Sequence, residues 1–224
     1  MAGTTHKPIA PGGTFLISQP LFKKKLAGIK AFIFDWDGVF NAGEKGENIT
    51  GTFTESDAMG INLMRFGYHI NHKNRMPYMA VVSGMNNASA EFFVRREYFN
   101  ALYSNFKNKR EPLQRICEQQ GIKPAEVAYF FDDVLDIPIA EQCGIRIVIG
   151  KKTPVFNDYL KKNKLCDYMT ANGAADYALR EACEMLMQQY GIFEEVISKR
   201  VLFNGPYLEY LATRNTITPV LYHS

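Results

Sequence analysis

The chain has 224 residues, 46% hydrophobic and 22% charged, which excludes a wholly disordered or fibrous protein and leaves room for one α/β domain with extra terminal segments. Its 26 basic and 23 acidic residues give a net charge of +3 with no dominant basic block, so nothing points to nucleic acid. The four cysteines, Cys117, Cys143, Cys166 and Cys183, lack the close pairing of a zinc site, and no stretch approaches the ~20 apolar residues of a membrane span. The opening residues lack the apolar core of a secretory signal, so a reducing cytoplasm is the expected location. The groups Lys23-Lys24-Lys25 and Lys161, Lys162, Lys164 read as solvated surface.

Residues 1–26, rich in Gly, Pro and Thr before a basic stretch, read as an arm that drapes over the surface or stays mobile. Ala31-Phe32-Ile33-Phe34 is a short apolar run between Lys30 and Asp35, as suits a strand covered on both faces. Residues 41–54 place turn-formers among polar and β-branched residues and predict a β-hairpin flap. A helix is expected at about 57–66, an insertion at 68–77, a strand at Tyr78–Val82 and a helix at about 86–97. Helices at about 109–120 and 134–142 should alternate with strands at Val127–Phe131 and Ile145–Ile149. Ala175–Tyr190 reads as a helix, and Phe193–Arg214 as helical material broken near Gly205-Pro206. The alternation predicts a three-layer, Rossmann-like α/β fold with a parallel sheet and right-handed crossovers. An arm (1–26), a core domain (27–190) and a C-terminal extension (191–224) follow as its divisions.

The chemistry concentrates at Phe34-Asp35-Trp36-Asp37-Gly38-Val39, where two carboxylates leave the C-terminal end of an apolar strand, the edge at which open α/β sheets bind ligands. At strand spacing such residues point to one side, roughly 6.5–7 Å apart. Acids so close favour a shared proton or a bound cation, and a hard divalent ion would also neutralise a phosphate. Gly38 lets the backbone turn closely past the site. A second acidic group, Asp132-Asp133-Val134-Leu135-Asp136, follows the apolar run Val127–Phe131; alone it would read as a helix cap, and with Asp35 and Asp37 it reads as a source of metal ligands. His6, His69, His72 and His223 form no metal spacing with nearby Cys or carboxylates.

Asp35-Trp36-Asp37-Gly38-Val39, then Ser83-Gly84 after a strand, then Lys109, then Asp132-Asp133-x-x-Asp136 resemble the four ordered motifs of the haloacid-dehalogenase superfamily. Ser56-Asp57-Ala58-Met59-Gly60-Ile61 and Arg180-Glu181 resemble the small capless branch that contains 3-deoxy-D-manno-octulosonate 8-phosphate phosphatase. The resemblance covers about residues 29–190. It implies a phosphate-monoester hydrolase without a large cap domain, acting on a sugar-acid phosphate such as 3-deoxy-D-manno-octulosonate 8-phosphate or a related nonulosonate 9-phosphate.

By that resemblance Asp35 is the nucleophile that forms an aspartyl-phosphate and Asp37 the acid/base partner. Mg²⁺ would be held by a carboxylate oxygen of Asp35, the backbone carbonyl of Asp37 and the carboxylate of Asp132, with Asp133, Asp136 and Gly84 in support. Ser83 would hydrogen-bond a phosphoryl oxygen and Lys109 would balance charge on the intermediate. Asp57 either contacts substrate or caps the helix beginning near Ala58. Arg180 either binds an anionic substrate group or a neighbouring subunit, or is a surface residue. Capless relatives close their sites with a neighbouring subunit, which implies a homotetramer.

Two positions depart from the pattern: Phe131 stands where relatives commonly carry Gly, and Met85 where many carry a charged residue that helps line the substrate mouth. The rival readings are a non-catalytic oligomerisation or regulatory scaffold of the same fold, and a phosphotransferase or phosphomutase sharing the aspartyl-phosphate.

Overall fold

The computed structural model of the chain describes residues 12–46 and 51–224. In chain order it runs β1 (Thr14–Phe15), α1 (Gln19–Leu26), β2 (Ala31–Phe34), α2 (Glu55–Asn71), β3 (Tyr78–Val82), α3 (Ala88–Arg96), β4 (Ala101–Ser104), α4 (Arg110–Gln120) and β5 (Val127–Phe131). It continues with α5 (Ile137–Ala140), β6 (Ile145–Val148), α6 (Pro154–Lys162), β7 (Tyr168–Met169), α7 (Ala178–Tyr190), α8 (Phe193–Leu202), α9 (Gly205–Arg214) and β8 (Val220–His223).

Among the described residues the strands form one eight-stranded sheet, ordered β1-β7-β6-β5-β2-β3-β4-β8, parallel except for the antiparallel edge strand β1. Strand periodicity sorts each central strand between two cores. Phe32 and Phe34 of β2, Met79 and Val81 of β3 and Phe130 of β5 face one apolar cluster, where α1, α2 and α7 lie. Ala31, Ile33, Ala80, Val82, Tyr129 and Phe131 face the other, with residues of α4, α5 and α6. This is the expected three-layer α/β architecture. Both faces are covered, which is why the strands read as unbroken apolar runs.

The chain winds outward from β2 through β3 to β4, then crosses back to β5 on the other side of β2 and continues through β6 to β7. The reversal opens a crevice at the carboxyl ends of β2 and β5.

The arm and the insertion need correction, whereas the helical reading of 193–214, broken near Gly205-Pro206, holds. Within the predicted arm, residues 14–15 pair with β7 and residues 19–26 form a helix that buries Phe22 and Leu26; residues 1–11 lie outside the described residues. The expected insertion at 68–77 is the last turn of α2 followed by the turn into β3. Tyr68 ties that turn down: its ring is buried and its hydroxyl donates to the Ile29 carbonyl at 3.1 Å. The predicted hairpin at 41–54 falls partly on residues 47–50, outside the described residues; beside them, Asp37 and Asn41 share an isolated bridge. Residues 191–224 supply α8 and α9 and an edge strand, β8, which pairs with β4.

Helix α2 spans 17 residues and is buried over nearly all of its length because α7, α8 and α9 cover the side that the sheet does not. It even buries Arg65, whose guanidinium donates to the carbonyls of Tyr98 (2.9 Å) and Glu97 and to the Tyr210 hydroxyl (3.2 Å). A buried charge satisfied in this way locks α2 to the α3–β4 connection and to α9.

Candidate active site

Asp35 follows β2 directly, and its amide donates to the Phe130 carbonyl at 2.9 Å, so the sheet ladder itself aims its side chain out of the carboxyl edge. Asp132 follows β5 in the same way, and a single helical turn, Val134–Asp136, brings Asp136 back over the edge. One carboxylate oxygen from each of Asp35, Asp132 and Asp136 lies within 4.8 Å of the others. These three help line a cleft of about 560 Å³.

Lys109 sits between two of them. Its Nζ is 2.6 Å from Asp35 Oδ1 and 2.6 Å from Asp136 Oδ1, and the Tyr129 hydroxyl donates to the same Asp136 oxygen at 2.6 Å. The lysine precedes the first turn of α4, where the helix dipole disfavours a cation, so the carboxylates and not the helix account for its position. Burial alone would lower the Lys109 pKa, but Asp35 and Asp136 more than offset it and the net shift is upward. Burial, and next Asp136, push Asp35 well above the ordinary carboxylate value, against the pull of Lys109. Burial likewise raises Asp132 despite Lys151. On Asp133 burial acts in the same direction but is outweighed by the Val134 amide and Lys151, and the net shift is downward.

Asp37 contacts Lys45 through Oδ2 at 2.5 Å, while its Oδ1 is buried without a hydrogen-bond partner among the described residues. Gly38 has φ +83, and a Cβ there would lie 2.0 Å from Asp132 Oδ2. Close backbone approach to an acidic ligand, an orphaned carboxylate oxygen and three converging carboxylates make an all-oxygen donor set suited to a hard divalent ion. Asp136 thus stands closer to the centre than a supporting role suggests, although Lys109 and Tyr129 already occupy one of its oxygens.

The remaining expected residues divide. Gly84 and Met85 line the cleft, and Met85 is 50% exposed. Ser83, buried just behind them, accepts the Met85 amide on Oγ at 3.3 Å. Asp57 and Arg180 are brought together, but neither lines the cleft. The Asp57 amide donates to Thr54 Oγ1 at 3.0 Å, Thr54 Oγ1 donates back to Asp57 Oδ2 at 2.7 Å, and the Arg180 amide donates to Asp57 Oδ1 at 2.9 Å. The cap of α2 is therefore Thr54 and not Asp57, because the helix begins at Glu55 rather than near Ala58; Asp57 lies in its first turn and ties it to the first turn of α7. The Arg180 side chain turns to Glu184 on its own helix. Phe131 does not crowd Asp132: it is buried in the core on the α4–α6 side, stacked on Tyr129.

Three cleft lysines, Lys45, Lys107 and Lys151, were not anticipated. Lys45 lies among turn-formers and Lys107 beside the motif lysine, so neither has a pattern of its own. Lys151 follows β6 at the carboxyl edge of the sheet, and that placement was readable.

No protein-family model matches the chain. Over 182 residues it is 26% identical to the 3-deoxy-D-manno-octulosonate 8-phosphate phosphatase KdsC of Salmonella typhimurium, covering 79% of this chain and 89% of that protein. The fold is shared with the 3-deoxy-D-manno-octulosonate 8-phosphate phosphatase of Moraxella catarrhalis, solved with magnesium ion, phosphate ion and a KDO molecule: TM-score 0.65, 21% identity, 79% of this chain and 96% of that one. It is shared also with the cobalt-bound phosphatase of Haemophilus influenzae: TM-score 0.62, 21% identity, 75% of this chain and 93% of that one. Likeness over most of the length and the shared sheet architecture make this chain similar to the 3-deoxy-D-manno-octulosonate 8-phosphate phosphatases, which supports a phosphatase.

Proposed function

We propose that the cleft hydrolyses a phosphate monoester of a small sugar acid, such as 3-deoxy-D-manno-octulosonate 8-phosphate or a related nonulosonate 9-phosphate, through a phosphorylated Asp35. The observation that carries this reading is the buried Asp35 carboxylate at the end of the central strand, held by Lys109 at 2.6 Å with Asp132 and Asp136 beside it. The sugar-acid substrate is supported by what the Salmonella and Moraxella proteins are named for.

In the first half-reaction an oxygen of Asp35 attacks phosphorus in line, the bond from phosphorus to the sugar oxygen breaks, and Asp37 gives that oxygen its proton. In the second, Asp37 takes a proton from water, the water oxygen attacks the same phosphorus, and the bond to Asp35 breaks. Inorganic phosphate leaves and the Asp35 carboxylate is restored. Attack needs Asp35 ionised, which burial opposes; Lys109 favours the charged form and holds the oxygen in place.

Mg²⁺ is the ion assigned here; it would be held by a carboxylate oxygen of Asp35, the backbone carbonyl of Asp37 and the carboxylate of Asp132, with Asp133 and Asp136 in support. When bound it offsets the negative charge of the carboxylates and of the phosphoryl oxygens. Ser83 is assigned a phosphoryl oxygen. Exposed Met85 and Leu135 leave apolar surface at the cleft rim, consistent with closure by a neighbouring subunit in a cytoplasmic homotetramer.

The test is phosphate release from a panel of phosphorylated sugar acids, sugars and nucleotides, with Mg²⁺ or with EDTA, for the native chain and Asp35→Asn. Metal-dependent release confined to sugar-acid phosphates and lost in a folded Asp35→Asn protein is the expected result. Full activity in the variant would overturn the mechanism, and release only when a sugar acceptor is added would indicate a phosphotransferase.

A further inference from the structure

Five aspartates line the cleft together with four lysines. Lys109 is shared by Asp35 and Asp136, Lys45 pairs with Asp37, and Lys107 donates to the Gly84 carbonyl at 2.7 Å. Lys151 is placed differently. Its Nζ lies 2.6 Å from Asp132 Oδ2 and 3.1 Å from Asp133 Oδ2, on the carboxylate that β5 contributes to the metal set.

The backbone at Lys151 is fixed from two sides. The Gly150 amide donates to Thr170 Oγ1 at 2.8 Å, and Asn157 Nδ2 donates to the Lys151 carbonyl at 2.8 Å. A Cβ at position 150 would lie 2.2 Å from the Thr170 carbonyl oxygen, so the segment after β6 is held against the segment after β7. The lysine side chain itself is 30% exposed and borders both this cleft and a second cavity next to it, so it has room to move without the backbone moving.

Groups that stand behind a metal ligand are as a rule carboxylates, carbonyls or waters, which raise the ligand's basicity. An ammonium does the opposite: it occupies a carboxylate oxygen and repels a second cation placed on the same group. We propose that Lys151 is a tethered counter-cation of the carboxylate cluster that competes with the divalent ion for Asp132 and so sets the affinity of the site for metal, an inference that rests on the metal reading above. Without an ion it keeps the adjacent carboxylates of Asp132 and Asp133 from facing each other uncompensated. The coupling is reciprocal: metal binding weakens the hold of Asp132 on Lys151 by the factor by which Lys151 weakens the metal.

The experiment is calorimetric titration of Mg²⁺ and Mn²⁺ into the native chain and its Lys151→Gln, Lys151→Arg and Lys107→Gln variants, with thermal melts in the presence and absence of ion. Lys151→Gln should bind Mg²⁺ about 3- to 10-fold more tightly, the range of a partly exposed ion pair. Its metal-free melting temperature should fall and its metal-induced rise should be larger than that of the native chain. Lys151→Arg, which keeps the charge, should stay near the native affinity. Lys107→Gln removes the same charge from the same cleft without touching a carboxylate and should gain less. Unchanged or weaker binding by Lys151→Gln overturns the inference alone, as does an equal gain in Lys107→Gln. Absence of binding in the native chain and all variants overturns the metal reading and the inference with it.

Discussion

Replacing Lys109 by Met removes the cation between Asp35 and Asp136 while keeping a side chain of similar length. The two carboxylate oxygens lie within 4.8 Å of each other. At an effective dielectric constant of about 20, unit charges at that separation repel by roughly 3.5 kcal/mol, and breaking a buried ion pair by removing one partner costs roughly 3–5 kcal/mol. At about 2–4 °C per kcal/mol for a chain of this size, the melting temperature should fall by about 7–14 °C near neutral pH. The deficit should depend on pH. Asp35 already has a folded pKa above its ordinary value of 3.8, so the folded state binds protons that the unfolded state has released, and stability declines as pH rises from that value through the folded pKa. Losing Lys109 removes the pull that lowers that pKa, so the gap between variant and native melting temperatures should widen as pH rises above the ordinary carboxylate range. The double variant Lys109→Met/Asp136→Asn, in which Tyr129 can still donate to the amide oxygen, should recover most of the loss. Parallel melting curves at every pH, with no rescue by Asp136→Asn, would refute the repulsion on which the estimate of magnitude depends.

Gly38→Ala places a Cβ at a positive φ and against Asp132 Oδ2; phosphatase activity should fall at least tenfold and Mg²⁺ affinity with it, and native values for both would show that Asp132 can move aside freely. Arg65→Met strands the carbonyls of Glu97 and Tyr98 in a buried site, so a loss of about 2–5 kcal/mol should appear in urea unfolding; a change within about 0.5 kcal/mol would mean that water reaches those carbonyls.

Strands β2, β3, β5 and β6 were legible because burial on both faces leaves a local, contiguous signature. Strand β4 was not: Ala101–Ser104 is as long as β2 or β6, but its run ends on polar Ser104 and the aromatic-rich stretch before it masks its start. Strand β8 is marked by nothing nearby, since its partner lies more than a hundred positions away. Within the site, the gathering of Asp35, Asp37, Lys109 and Asp132 in one cleft was legible from the order of the motifs, which puts the aspartates at strand ends and Lys109 before α4. The close approach of Asp136 to Asp35 was not legible because it depends on one helical turn after β5. Lys45 was missed because a single lysine in a loop has no spacing to betray it; the position of Lys151 after β6 could be read, but only the fold shows which carboxylate each one meets. Asp57 and Arg180 point the other way, since the pattern of relatives drew attention to them and the structure uses them to join α2 to α7.

The pairing of β8 with β4 has a consequence for how the chain is made. Ser104 and His223, 119 positions apart, are joined at 2.9 Å, and Asn105 reaches the Ser224 carbonyl. At about 5–20 residues per second, roughly 6–24 s separate the emergence of the two strands from the ribosome. Throughout that interval the outer edge of β4 has no partner, with buried Leu102 and Tyr103 beside it, and it offers a template to any extended chain nearby. A fusion that delays or obstructs residues 220–224 should therefore lower the soluble yield more than it harms the enzyme once folded.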